Sequence, residues 1–161
     1  MLKTPKHVTL RLVRPDDEAF LFEVYASTRF DELAAVPWDE SQREAFLRLQ
    51  FAAQQQHYRT HFPGAKHQLI LVGDQAAGRL YIARMTDEVR ILDIALLPEQ
   101  RNAGIGTFII KVILREGSKA EKPVRIYVEA FNPSLRLFER LGFSRVQDIG
   151  THLLMEWRGP A

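Results

Sequence analysis

The apolar positions of this chain change period several times, and each change predicts an element. Residues 7–15, "HVTLRLVRP", alternate, which predicts a strand with Val8, Leu10 and Leu12 on one face. From Pro15 the spacing turns helical: Pro15 and Asp16 suit the first positions of a helix whose stripe is Phe20, Leu21, Val24 and Tyr25. A longer helix is predicted over 39–62, with Asp39 as N-cap, Gln42 three residues on, and Leu47, Phe51, Tyr58 and Phe62 as its stripe. After "PGAK" come three strand-like runs, "HQLILVGD", "AGRLYIARMTDE" and "VRILDIALLP", parted by the short turns "GDQ" and "TDE". That pattern predicts an antiparallel meander.

The period returns to helical at Ile105, where Ile105, Phe108, Ile109, Val112 and Ile113 recur at i, i+3, i+4, i+7 and i+8, predicting a helix to Glu116. "PVRIYVEAF" reads as a buried strand. "NPSLRLFERLG" reads as a short helix, with Asn132 as N-cap, Pro133 in the first turn and Gly142 just past the end. Two strands, "FSRVQDIG" and "THLLMEWR", complete the order β-α-α-β-β-β-α-β-α-β-β. The expected architecture is a mixed sheet flanked by helices, with one βαβ unit over 88–130 joining parallel strands.

Composition narrows the chemistry. A chain of 161 residues, 46% hydrophobic, is expected to form one domain with its own core. With no cysteine, disulfides, thiolate metal sites and a cysteine nucleophile are excluded. "MLKTPKHVTL" lacks the apolar run of a signal peptide, and no stretch approaches the ~20 apolar residues of a membrane span. The expectation is a cytoplasmic protein without a membrane partner. Net charge is +2 and the pI near 9.0, with Lys and Arg scattered. An RNA-associated reading rests on that pI alone, and without a basic stripe no nucleic-acid partner is expected. His57 and His61 stand i, i+4, but nothing supplies a third ligand, so no metal site is expected. Serine-hydrolase chemistry is disfavoured by the absence of a "GxSxG" elbow.

The most informative stretch is "LLPEQRNAGIGTFIIKVILRE", 96–116, where a strand runs into a glycine-bearing turn that opens a helix. Such a turn aims unpaired backbone N–H groups, at the positive end of a helix dipole, at one spot. Its physical match is a phosphate or pyrophosphate, with Arg101 adding attraction. Position 109 is Ile where a dinucleotide fingerprint has its third glycine, and "GIGTF" lacks the Lys-Ser/Thr of a P-loop. A bare "GxG" also fits a tight turn that needs glycine for its dihedrals alone.

Strand, Pro98, Arg101-x-x-Gly104-x-Gly106, amphipathic helix, strand, Asn132-Pro133 helix and "LGF" (141–143) together resemble the GNAT superfamily of N-acetyltransferases. The match covers 88–158; residues 7–26 fit the first strand and helix more loosely, and 30–66 fit only as a second helix. The resemblance implies an α/β (α+β) fold: a mixed, mostly antiparallel sheet of six to seven strands flanked by about four helices. It implies acetyl-CoA as co-substrate, with the pyrophosphate on the turn, here Arg101, Asn102, Ala103, Gly104, Ile105, Gly106 and Thr107. The pantetheine arm would lie against backbone groups of Ile94 and Leu96, where Ile91–Leu97 splays from Pro123–Ala130. An N–H there would polarise the thioester carbonyl. The family also places an asparagine, here Asn132, near the pantetheine.

Phe138 stands where many members have a tyrosine that protonates the departing thiolate. A thiol of pKa about 8.5 leaves fairly well unaided, so this loss weakens catalysis without removing it. Tyr127 and Ser134 are substitute donors, though packing and helix-start roles suit them better. Two carboxylates interrupt the strands lining the cleft, Asp93 and Glu129, and each is either a general base for the amine or half of an ion pair with Arg90 or Arg125. The resemblance implies as acceptor a primary amine of an unidentified small molecule or peptide. The wall formed by Asp31, Glu32, Asp39, Glu40 and Glu44 beside Arg29, Arg43 and Arg48 suits a cationic one. The competing reading is a non-catalytic acyl-CoA-binding module. A homodimer is compatible with the resemblance.

Overall fold

The computed structural model describes residues 7–160. Its elements follow the predicted order: β1 (Val8–Leu12), α1 (Glu18–Ala34), α2 (Glu40–His61), β2 (Lys66–Val72), β3 (Gln75–Arg84), β4 (Val89–Leu96), α3 (Ile105–Ala120), β5 (Val124–Glu129), α4 (Leu135–Arg140), β6 (Ser144–Asp148) and β7 (His152–Trp157). All seven strands join one sheet in the order β1-β2-β3-β4-β5-β7-β6. Only β4 and β5 run parallel, with the single helix α3 as the crossover between them; β1 and β2, joined through two helices, pair antiparallel.

Each face of the sheet buries a separate apolar layer. α3 and α4 pack on one face, with Ile105, Ile109, Ile110, Ile113, Leu135 and Phe138 against Leu80, Ile82, Ile91 and Ile126. α1 and α2 cover the other face through Leu21, Tyr25, Leu47 and Phe51, which meet Leu69. α2 starts where its local chemistry dictates. The Asp39 carboxylate accepts from the Gln42 N–H at 2.8 Å, and Gln42 Oε1 accepts from the Asp39 N–H at 2.9 Å, a closed capping box.

β1 forms where alternation predicts; Val8 packs against the core, Leu10 and Leu12 are 39% and 59% exposed, and Arg11 on the opposite face pairs with Asp17 at 2.8 Å. Two expectations need correction. On α3 the buried face is turned toward Ile110, Leu114 and Gly117, leaving Val112 exposed, and the helix runs on to Ala120. Asn132 is not the N-cap of α4: Ser134 is, and Asn132 Oδ1 instead accepts from the Ser134 N–H at 2.9 Å, an Asx turn just before the helix.

The site is shaped by an irregularity in β4. Its pairing with β3 steps from Tyr81↔Asp93 to Ile82↔Ile91, so Leu92 is an extra residue, a bulge. Pairing with β5 ends at the same place, Ile91↔Ile126. Beyond it the two parallel strands part. No helix among the described residues is long and apolar enough to cross a membrane.

Candidate active site

The edge that β4 presents to the gap follows from strand periodicity. The Leu97 N–H donates to Ala77 O at 2.9 Å, so Leu97, and by alternation Ala95, turn their backbone groups toward β3. Ile94 and Leu96 therefore turn theirs toward the gap. Leu96 O is already met there by Arg101 Nε at 3.0 Å. β4 is held close to β3 at this point by Gly78, opposite Leu96: a Cβ on Gly78 would stand 2.1 Å from Ala95 O.

Past Pro98 the chain makes the turn that carries the phosphate expectation. Asn102 (φ 63°) and Gly104 (φ 82°) both adopt left-handed backbone, and Gly104 is the residue preceding α3. No side chain caps this helix. Among the described residues, no amide N–H from Asn102 to Thr107 donates to a backbone acceptor outside helices and strands, and the first bond of α3 is Phe108 N–H to Gly104 O at 3.0 Å. The two glycines differ in kind. Gly104 is explained by its dihedral. Gly106 is not: a Cβ there would meet nothing nearer than Leu96 Cδ1 at 3.9 Å. The protein's own atoms leave that space open, as a cradle for a ligand does. Arg101 reaches across to α1, with Nη2 3.4 Å from Ser27 Oγ, so α1, the turn and the end of β4 meet around its guanidinium.

Both candidate carboxylates are ion-paired, but to partners other than Arg90 and Arg125. Asp93 Oδ2 accepts from Arg79 Nε at 2.7 Å, and Arg79, 1% exposed, also donates from Nη2 to Gln54 Oε1 of α2. Glu129 Oε1 accepts from Arg29 Nη1 of α1 at 2.7 Å. Burial opposes the charge of Arg29, but Glu129 and Tyr25 together outweigh it and the guanidinium pKa is raised. Arg90 and Arg125 bind Glu88 instead, and Arg125 also binds Glu156. Beneath the gap Tyr58 of α2 donates to Leu92 O at 3.0 Å. Next to it His67 stacks on Tyr81, centroids 4.3 Å apart, and its burial, then Arg79, lowers its pKa to about 4.

Other expected participants lie apart from this convergence. Phe138 is 1% exposed and packs edge-on against Phe143, so its ring is a core residue offering no surface to a cofactor. Tyr127, expected as a packing aromatic, is 40% exposed beneath the Arg90 guanidinium. Sequence reading missed Arg79 and the partner of the Tyr58 hydroxyl, and it placed Arg29 in the acceptor wall without its pairing to Glu129. A visible signal existed for Arg79 alone: a cation inside the apolar run "GRLYI", diagonal to Asp93 in the meander. His57 and His61 lie on an exposed face of α2, and among the described residues no group of three or more His, Asp or Glu could hold a metal.

A row of free amides continuous with a strand edge offers the kind of hydrogen-bonding groups that a phosphorylated head and an amide-bearing arm use. The sequence profile of the Acetyltransferase (GNAT) family matches residues 21–143. Among solved structures, the PaiA N-acetyltransferase from Thermoplasma acidophilum in complex with coenzyme A superposes with a TM-score of 0.70 at 16% identity, over 94% of this chain and 99% of that one. An acetyltransferase from Thermus thermophilus gives 0.69 at 17% identity, over 97% and 99%. The ribosomal-protein-S18-alanine N-acetyltransferase from Escherichia coli gives 0.62 at 17% identity, over 94% and 93%. No protein of curated function matches the chain. The chain belongs to the acetyltransferase (GNAT) family and is an N-acetyltransferase.

Proposed function

We propose that this N-acetyltransferase moves an acetyl group from acetyl-CoA to a primary amine of a cationic small molecule or peptide, by direct attack in the gap between β4 and β5. The observation that carries the reading is the run of uncapped amides at 102–107 leading onto the edge at Ile94 and Leu96, which no strand pairs with. In this reading the pyrophosphate lies on those amides beside Arg101. The pantetheine amides extend the sheet along β4, and Asn132 borders the arm.

The Ile94 N–H polarises the thioester carbonyl. The amine nitrogen then bonds to the carbonyl carbon, the C–S bond breaks, and the electron pair leaves on sulfur. With Phe138 buried in the core, no phenol at that position protonates the sulfur, and a thiol of pKa about 8.5 leaves as thiolate near neutral pH. The ammonium of the acceptor must lose a proton before attack. Asp93 and Glu129 are the bordering carboxylates, and each has one oxygen held by a guanidinium. Among the described residues their other oxygens, Oδ1 of Asp93 and Oε2 of Glu129, have no hydrogen-bond partner, leaving them to receive that proton directly or through water.

The acceptor class follows from the wall of α1 and α2. Arg29 is committed to Glu129, Arg48 lies 3.1 Å from Glu44, and Arg43 donates to Val36 O. Asp31 and Glu40 have no ion-pair partner among the described residues and are exposed. The test is release of free CoA thiol from acetyl-CoA over a panel of amines, peptides and acidic controls. Release with cationic amines is expected. Acetylation of acidic acceptors alone would overturn the acceptor class. Coenzyme A binding without release under any amine would favour an acyl-CoA-binding module instead.

A further inference from the structure

The bulge at Leu92 costs β4 a ladder bond and leaves a carbonyl that the sheet does not satisfy. α2 supplies the missing partners from a single helix face. Tyr58 donates to Leu92 O at 3.0 Å, and Gln54, one turn earlier, accepts from Arg79, whose Nε holds the Asp93 carboxylate. Of two adjacent β4 residues, Leu92 is thus held by Tyr58 directly and Asp93 is tied to Gln54 through Arg79 of β3, at the point where β4 and β5 cease to pair. Ile94, two residues on, lies about 7 Å further along the strand.

We propose that Tyr58 and Gln54 clasp the β4 bulge and set the opening between β4 and β5, which makes Tyr58 a positioning residue for the edge at Ile94 and Leu96. This rests on the use of that edge by the coenzyme A arm proposed above. Because α2 also forms the acceptor wall, the clasp ties the acceptor side of the cleft to the thioester side. The Tyr58 ring packs edge-on against Tyr81, centroids 4.9 Å apart, so the hydroxyl can be removed while the packing is kept. Burial, then the nearby Asp93, raises the pKa of that hydroxyl, which keeps it a donor throughout the neutral range.

The experiment is Tyr58→Phe, read by amide hydrogen exchange of the free protein and by calorimetric binding of coenzyme A. An orphaned buried carbonyl shifts the local equilibrium by roughly ten- to a hundredfold. Exchange at 92–96 should therefore rise about tenfold or more, with α3 and β5 unchanged, and the coenzyme A dissociation constant should rise about tenfold. Gln54→Leu, which cuts the second tie, should move both readouts in the same direction, and Tyr81→Phe should move neither. Unchanged exchange at 92–96 in both clasp variants overturns the proposal. So does a uniform rise across the whole sheet, which would mark Tyr58 as a stability residue only. If the unmodified protein binds no coenzyme A, the proposed function falls, and the exchange data still decide the clasp.

Discussion

Replacing Gly106 by alanine separates the two reasons a glycine can stand in the turn before α3. A Cβ at 106 meets only Leu96 Cδ1 at 3.9 Å, an ordinary contact, and the residue lies in the first turn of the helix with no left-handed dihedral. The fold should accept the methyl group. Alanine narrows the unfolded chain and suits a helix better than glycine, gains of about 0.4–1 kcal/mol, or roughly 1–3 °C in Tm for a chain of this size. Ligand binding should move the other way. A hydrogen bond to a charged group contributes about 1.5–3 kcal/mol, so a methyl that displaces one amide–phosphate contact weakens coenzyme A by about ten- to a hundredfold. Scanning calorimetry and titration calorimetry on the same preparation read both quantities. A rise in Tm with coenzyme A affinity unchanged would refute the cradle. Gly104→Ala is the contrast: at φ 82° a side chain costs about 1–2 kcal/mol, so Tm should fall.

Further outcomes follow from the residues around the gap. Gly78→Ala would place its Cβ 2.1 Å from Ala95 O and 2.9 Å from Leu96 Cα, forcing the backbone of β4 aside. Urea unfolding should show a loss of about 3 kcal/mol with an unchanged m-value. Arg79→Met strands the Asp93 carboxylate and should cost about 2–3 kcal/mol, below the usual loss from a broken buried pair because the Asp93 side chain keeps 28% exposure. Arg79→Met/Asp93→Leu should recover most of it in a double-mutant cycle. His67, held neutral with a pKa of about 4, favours the folded state above the unfolded value near 6.5. That contribution is lost as pH falls from about 6.5 to about 4, so His67→Phe should flatten the stability profile across this window. In the thiol-release assay, the pH–rate profile should change for Asp93→Asn or Glu129→Gln; no change in either would eliminate both as the base.

What was legible in the sequence was local. Asp39 and Gln42 cap α2 within four residues, and Gly104 marks its own turn, so both could be read from spacing. The parting of β4 from β5 was implied only by the family resemblance, not by any spacing in the chain. The ion pairs could not be read this way: Arg29 and Glu129 are 100 residues apart, and their meeting depends on how α1 crosses the sheet. Alternation placed Val8, Leu10 and Leu12 on one face but could not say how far an edge strand would be covered, and Leu10 and Leu12 are exposed. Tyr58 looked like part of an apolar stripe, and its hydroxyl acquires a partner only through a bulge that no periodicity announces. Phe138 stands at a family position, yet its helix turns the ring inward against Phe143.

The central claim is that the backbone amides from Asn102 to Thr107 hold the phosphates of coenzyme A. A crystal structure of the protein with coenzyme A tests it directly. The account predicts pyrophosphate oxygens about 2.7–3.1 Å from several of those nitrogens, with the pantetheine laid along Ile94 and Leu96. A nucleotide bound elsewhere, with these amides facing only water, would contradict it.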